Sequence, residues 1–328
     1  MSSGADPRPL AVSCGDPAGI GGEIAAAAWR RLAGEVPFVL IGDADWAAGF
    51  GAPVVRVEGP EQAAAALPGG LPVLHRPLPV RPVSGRPDPA NAPATAAAIE
   101  EAVRLTQAGR CGGVVTLPIS KKVLHDGAGF AFPGHTEFLG ALTGAARPVM
   151  MLAGPSVRVI PVTVHIALSE VPRRLTADLI EETARIAAAD LRRFFGLSSP
   201  RLAVAGLNPH AGEGGAMGRE EIEIIAPAVA RLRAEGLDVT GPLPADTMFH
   251  AAARARHDAA LCMYHDQALI PVKALDFDRA VNVTLGLPIV RTSPDHGTAF
   301  DIAGRGVADP TSLIEALRLA ARMAAAAA

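Results

Sequence analysis

Leu10-Ala-Val-Ser-Cys-Gly-Asp-Pro-Ala-Gly-Ile-Gly-Gly-Glu23 is the stretch whose reading decides the fold. Leu10–Cys14 is an unbroken apolar run of strand length. Gly15 to Gly22 then turns sharply, and a helix-forming run opens at its end. A buried strand fed through a glycine turn into a helix is the building unit of an α/β protein. The glycines lack the Gly-x-Gly-x-x-Gly spacing of a Rossmann turn, and no Gly-Lys-Ser/Thr follows, so neither that fingerprint nor a P-loop is present. The same alternation recurs along the chain. Phe38–Ile41, Gly113–Leu117, Val157–Val164, Leu202–Ala205 and Ala259–Met263 read as buried strands. Thr95–Gln107, Thr176–Phe195, Glu220–Ala234 and Thr311–Met323 read as helices, with Leu179, Thr183, Ile186 and Leu191 at helical spacing in the second. The pattern predicts an α/β fold with a mainly parallel sheet. Ser120 or Pro118 would open one further helix, and Asp309-Pro310 sets an N-cap before a proline at the first helical position. Pro77 to Pro93 reads as a loop rather than a linker, and the alanine tail after Met323 is expected to fray.

The chain has 328 residues, enough for two ordinary domains or one large one. A hydrophobic fraction of 49% against 19% charged excludes disorder over the whole chain. A net charge of −3 leaves no global basic field for nucleic acid. No apolar run reaches the roughly 18 residues a membrane span needs. Met1 to Pro9 lacks the apolar stretch of a signal peptide. Cys14, Cys111 and Cys262 are odd in number and far apart, which fits neither a disulfide framework nor a zinc ribbon. A cytoplasmic protein is expected. Only three lysines occur, Lys121, Lys122 and Lys273, and Tyr264 is the only tyrosine. Against so strong a bias toward Ala, Gly, Pro and Arg, these exceptions stand out.

His165, His210 and His265 each follow an apolar, strand-like run. Open α/β sheets bind ligands beyond the carboxyl ends of their strands. Three imidazoles delivered there would suit one divalent metal with open positions for water or substrate. Three independent, hydrogen-bonded loop histidines would show the same pattern, so both readings stand. His75, His125, His250 and His257 lack that setting and read as surface or loop residues. Gly134-His135-Thr136-Glu137 offers donors to an anion at a helix start, or plain capping by Thr136. Lys273, Asn282 and Arg291 supply an ammonium, an amide and a guanidinium suited to phosphate or carboxylate, or are scattered surface groups. Asn208 to Gly215 reads as a long functional loop. No Gly-x-Ser-x-Gly elbow occurs, which argues against a serine hydrolase.

Jointly, Gly15–Glu23, Pro118–Lys121, Pro133–Leu139, Val164–Ile166, Leu207–Glu221, Gly241–Phe249 and Ala260–Pro310 resemble the PdxA family of 4-hydroxythreonine-4-phosphate dehydrogenases. Met-Tyr-His-Asp-Gln at 263–267 and the run from Val281 to Gly304 carry most of that resemblance. It implies two α/β/α domains around a central cleft, as in isopropylmalate dehydrogenase. A discontinuous cofactor domain is expected over 1–130 and 270–328, and a dimerisation and metal-ligand domain over 131–269. His165, His210 and His265 correspond to the metal ligands, with His265 supplied by the partner subunit of a homodimer. The metal would be zinc, cobalt, magnesium or manganese. His135, Thr136, Lys273, Asn282 and Arg291 correspond to the substrate-binding set. Asp295, His296, Gly297, Thr298 and Asp301 lie in a loop similar to the NAD or NADP loop of isopropylmalate and isocitrate dehydrogenases. Asp246 and Asp266 are the candidate general bases or partners of the metal-binding imidazoles. The implied reaction oxidises 4-phosphooxy-threonine at C3, followed by loss of CO2 to give 3-amino-2-oxopropyl phosphate in pyridoxal phosphate biosynthesis. Two alternatives keep the same motifs: a dehydrogenase for phospho-threonate or phospho-erythronate, and a non-catalytic phosphate- or metal-binding protein. Cys14 and Gly22 depart from the usual family pattern.

Overall fold

A computed structural model describes residues 8–32 and 34–327. Most of the Met1–Pro9 segment, and Ala328 of the alanine tail, lie outside the described residues. The chain forms two compact units, Met1–Pro148 with Leu287–Ala328, and Val149–Gly286. The α/β class expected from the sequence holds in both.

The first unit contains β1 (Leu10–Ser13), β2 (Phe38–Gly42), β3 (Val54–Val57), β4 (Leu71–His75), β5 (Val114–Thr116) and β12 (Arg291–Pro294). Their order is β3-β4-β2-β1-β5-β12, and every pairing is parallel. Val12 sits at the centre, level with Leu40 and Val115. Parallel strands covered by helices are apolar throughout rather than alternating, which is why Leu10–Cys14 is legible without a period. The helix Ala92–Gln107 packs on β1 and β2, and the helix Thr311–Ala326 packs on β12 and β5. Ile24, Ile99, Leu105 and Leu317 are fully buried; each such side chain stabilises by about 1.5–3 kcal/mol. Three details differ from the sequence reading. The helix expected to start at Thr95 begins at Ala92, because Asp88 caps the preceding turn Pro89–Asn91 and the chain runs straight on. The last helix continues to Ala326, beyond the expected fraying point at Met323. Pro310 stands just ahead of that helix rather than inside it, while the Asp309 carboxylate accepts from Thr311 N at 3.0 Å and Thr311 Oγ1 at 2.7 Å.

The second unit contains β6 (Val149–Ala153), β7 (Arg158–Pro161), β8 (Arg201–Ala205), β9 (Asp238–Leu243), β10 (Ala259–Cys262) and β11 (Val281–Leu285). The order is β11-β6-β7-β10-β8-β9. The β11/β6 and β6/β7 pairs are antiparallel; the other three are parallel. The long helix Ala177–Phe195 is capped by Thr176 Oγ1, which accepts from Leu179 N at 3.2 Å. The expected helix Glu220–Ala234 is split: Glu221–Ile225 forms a π-turn before α-helix resumes over Ala226–Ala234. The helix His265–Asp276 packs on β7, β10 and β6. Residues 131–148 fold with the first unit because the helix His135–Thr143 packs on Ala92–Gln107. Residues 270–286 fold with the second because β11 pairs with β6.

Candidate functional site

β7, β10 and β8 are parallel neighbours, and their carboxyl ends deliver His165, His265 and His210 in that order across the sheet. Side chains tie these strand exits together. Thr163 Oγ1 donates to Met263 O at 2.7 Å. Gln267 accepts from Met263 N at 2.6 Å and donates to Gly206 O at 2.7 Å, joining the β10 and β8 exits. The His165 and His265 rings stand 5.6 Å apart at 44°. They line a recess of about 200 Å³ together with Thr163, Ile166, Leu168 and Tyr264. Asp266 Oδ1 lies 2.7 Å from His265 Nδ1. An Nδ1–H held by that carboxylate leaves Nε2 as the electron-pair donor. Asp246 is exposed, on a turn packed against the His210 loop.

The backbone at the two other histidines is unusual. His165 and His210 both have φ of +53°, a left-handed conformation that costs a side-chain-bearing residue about 1–2 kcal/mol. His210 opens five consecutive left-handed residues, with φ of 53°, 52°, 79°, 43° and 63° through Gly214. Glu221 holds the entrance to this loop. One carboxylate oxygen accepts from Leu207 N and Asn208 N, both at 2.7 Å, and the other accepts from Asn208 Nδ2 at 3.0 Å. Burial alone would raise this carboxyl, but those bonds outweigh it and hold it below the usual range. Among the described residues, no group of three or more His, Cys, Asp or Glu side chains is placed to hold a metal. The imidazole chemistry fits a divalent ion.

A second cluster lies in the first unit. His135 opens the helix His135–Thr143 behind Gly134, which makes no side-chain cap; Thr136 lies inside the helix and is not its cap. His135 Nε2 is buried without a hydrogen-bond partner. Burial, then the charges of Arg291 and Lys121, hold this imidazole well below its usual value. Arg291, on β12, is 2% exposed and donates from Nη2 to Thr116 Oγ1 at 2.7 Å. Burial pulls its guanidinium down to about 10. A Cβ added to Gly134 would lie 3.8 Å from Lys121 Nζ. Two cations and a neutral imidazole thus meet at a helix start, an arrangement chemically suited to a phosphoryl or carboxylate group. Thr136 follows, half-buried. Lys273 and Asn282 belong to the second unit: Lys273 Nζ stands 5.1 Å over the Phe277 ring, and Asn282 lies opposite Leu152 on β6.

Beyond β12 the loop Asp295–Gly306 is anchored on the glycine turn after β1. Ile20 N donates to Thr298 O at 3.1 Å. A Cβ at Gly19 would sit 2.9 Å from that oxygen, so only glycine permits the approach. The Glu23 carboxylate accepts from Gly304 N and, at 3.1 Å, from Gly306 N. Asp295 N donates to Ser312 Oγ at 3.1 Å. His296 lies near Gly297 O through Nδ1 at 3.0 Å, while its Nε2 is buried and unpartnered. Asp301 is exposed. Asp295, His296, Gly297, Thr298 and Asp301 therefore share one loop held to Gly15–Glu23.

Sequence reasoning left Thr116, Glu23, Glu221 and Gln267 without roles, and gave Lys121 only a place in a motif. Lysine scarcity was the signal for Lys121; the others are ordinary residues whose work is visible only in three dimensions. Lys122 forms an ion pair with Asp126 on its own helix.

The profile of a family described as pyridoxal phosphate biosynthetic protein PdxA matches residues 36–320. A Caulobacter vibrioides protein named 4-hydroxythreonine-4-phosphate dehydrogenase is 58% identical over 97% of this chain and 98% of its own. A Paracoccus denitrificans protein of the same name is 57% identical over 97% of this chain and 98% of its own. A solved Klebsiella pneumoniae structure of that name is 39% identical with a TM-score of 0.89, covering 98% of this chain and 99% of the other.

Proposed function

The chain belongs to the PdxA family of pyridoxal phosphate biosynthetic proteins, and from that premise we propose that it is an NAD(P)-dependent dehydrogenase acting on 4-hydroxythreonine 4-phosphate in the cytoplasm. The observation that carries this reading is the buried Arg291 beside neutral His135 and Lys121, a receptor for a phosphorylated acid in a chain so close to enzymes of that name.

Arg291 and Lys121, joined by Lys273 and Asn282, hold the charged ends of the substrate, and His135 and Thr136 orient it. Fixed orientation supplies part of the rate. The loop Asp295–Asp301 would hold the nicotinamide cofactor, which would supply the hydride acceptor. Glu23 keeps that loop seated on the glycine turn. His165 and His210 of one chain, with His265 of the other, would hold a divalent ion of zinc, cobalt, magnesium or manganese, which would supply Lewis-acid polarisation at the substrate oxygen. Asp266 keeps the proton on His265 Nδ1, and Asp246 takes the proton of the C3 hydroxyl. The β-keto acid product then loses CO2 to give 3-amino-2-oxopropyl phosphate.

The homodimer is supported by the exposure of Ile270 and Phe277, 66% and 73%, at the helix that carries His265 and Lys273. Leu168, at the recess of His165 and His265, is also 65% exposed. A second reading, with His165 and His265 serving one site in the same chain, is favoured by their 5.6 Å separation. Reduced cofactor should form from 4-hydroxythreonine 4-phosphate, vanish on chelation and return with added metal. Turnover of 4-phosphothreonate alone would instead assign the chain to sugar-acid catabolism, and no turnover of either would favour a binding protein.

A further inference from the structure

The amino-terminal ends of β7 and β10, opposite the histidines in the second unit, carry a different pocket. The hairpin turn Gly154–Val157 leads into β7 there, and His257 and Asp258 lead into β10. Together with Arg158 and Arg254 they enclose about 70 Å³. That is the volume of about two waters, or of one tetrahedral oxyanion.

Two nitrogens in this pocket wall are buried and unpartnered: Arg254 Nε and His257 Nε2. A guanidinium Nε–H can only donate, and a buried donor left unmade costs about 1–3 kcal/mol. Other groups nearby are engaged. Arg254 Nη1 donates to Ser156 O at 3.0 Å, and Arg158 Nη1 donates to Asp258 O at 3.2 Å. Both Asp258 carboxylate oxygens accept from Arg201. The Ser156 hydroxyl and N–H both donate to Asp276. The two aspartates are thus engaged, Asp258 by Arg201 and in part by the Arg158 charge, and what the pocket leaves unpartnered is Arg254 Nε and His257 Nε2.

We propose that this pocket binds a small tetrahedral oxyanion, the phosphate or sulfate class, at Arg254 and His257, with Arg158 beside them. The site is separate from the His135–Arg291 cluster, which lies in the other unit, and needs neither the cofactor nor the dehydrogenase reaction. An oxyanion satisfies Arg254 Nε and offsets the Arg254 charge at once, which water does not. It also favours the protonated imidazole, whose Nε2 then becomes a donor. Around His257 lie the cations Arg201 and Arg254 and the anion Asp258, with Ala253 O as a hydrogen-bond partner; burial and then Arg201 hold the ring below its usual value. An anion reverses that balance, so binding should tighten as pH falls.

Sulfate is the probe of choice because its charge is constant between pH 6 and 8. The His257 ring signals, identified by comparison with His257→Gln, should shift saturably with sulfate in the wild-type protein, at least threefold more tightly at pH 6 than at pH 8. Arg254→Met should weaken that response tenfold or more while kcat is unchanged. Inorganic phosphate and glycerol phosphate form two further arms: displacement of sulfate by both assigns the pocket to phosphoryl groups in general, and displacement by phosphate alone assigns it to the free ion. His257 signals unmoved by saturating sulfate and phosphate at pH 6 overturn the proposal, with or without a folded Arg254 variant.

Discussion

At the scale of single residues, conformation and protonation are set by neighbours that no motif reveals. His210 is legible as a candidate ligand because it follows an apolar strand. Its left-handed backbone is not legible, because even histidine adopts that region in a minority of positions and the alanine after it less often still. The loop persists because Glu221 anchors its entrance. Glu221→Gln keeps the shape but weakens the two bonds from Leu207 N and Asn208 N and sets an amide NH2 against the Asn208 Nδ2 donor; it should lower stability by about 1–3 kcal/mol and cut metal affinity, both measured on the purified protein. His210→Ala should leave a folded protein with kcat reduced roughly 100-fold or more. Full activity in that variant after chelation would remove His210 from the site. His135 gives a pH signature. Its folded value lies well below the 6.5 of the unfolded chain, so the unfolded state takes up the proton first. The stability it contributes is present above about pH 6.5 and is lost as pH falls toward the depressed value. His257 acts with the same sign. His135→Asn should flatten the fall of Tm between pH 7 and 5; an unchanged slope would show that other groups control it.

At the scale of elements, the sequence shows most of the strands that are apolar throughout, though not β6 (Val149–Ala153), and hides the rest. β1, β2, β5, β7, β8 and β10 are legible as runs. β12 is not: Arg-Thr-Ser-Pro is polar, yet all four residues are buried. Thr292 Oγ1 donates to Ala316 O at 2.9 Å, so its hydroxyl is satisfied by the last helix. β3 and β4 are interrupted by Arg56 and Pro72, and β9 by Gly241-Pro242. The two family departures also find physical explanations. A Cβ at Gly22 would lie 2.0 Å from the Phe50 ring, which occupies that space. Cys14 is fully buried, and burial pushes its thiol up to about 12, so it serves as packing rather than as a nucleophile. Gly127 ties the Lys121 helix to the chain before the helix Ala92–Gln107. A Cβ there would fall 1.9 Å from Pro89 O, a backbone atom. Gly127→Ala should therefore lower stability by about 1–3 kcal/mol and raise KM by displacing Lys121. Wild-type Tm and KM in that variant would show that the helix has room to move.

At the scale of the whole molecule, the proposed homodimer would decide how the metal donors are shared. Inactive His165→Ala and inactive His265→Ala subunits, combined in verified heterodimers, should restore about half of the sites if His265 crosses between chains. One of the two sites then contains both wild-type histidines. If both serve the same chain, each subunit lacks one ligand and no activity returns. Domain limits were the least legible feature, because residues 131–148 and 270–286 are assigned by packing and by the β11/β6 pair, neither of which leaves a compositional trace. The division of the first unit between the two ends of the chain has a consequence for biosynthesis. The second unit is contiguous and emerges from the ribosome whole, bearing His165, His210 and His265. The first unit lacks β12 and the helix that covers it until the second unit has been made. Arg291 and the loop from Asp295 follow the whole second unit in the chain, so a nascent chain completes its histidine-bearing unit before it can take up an anion at the other.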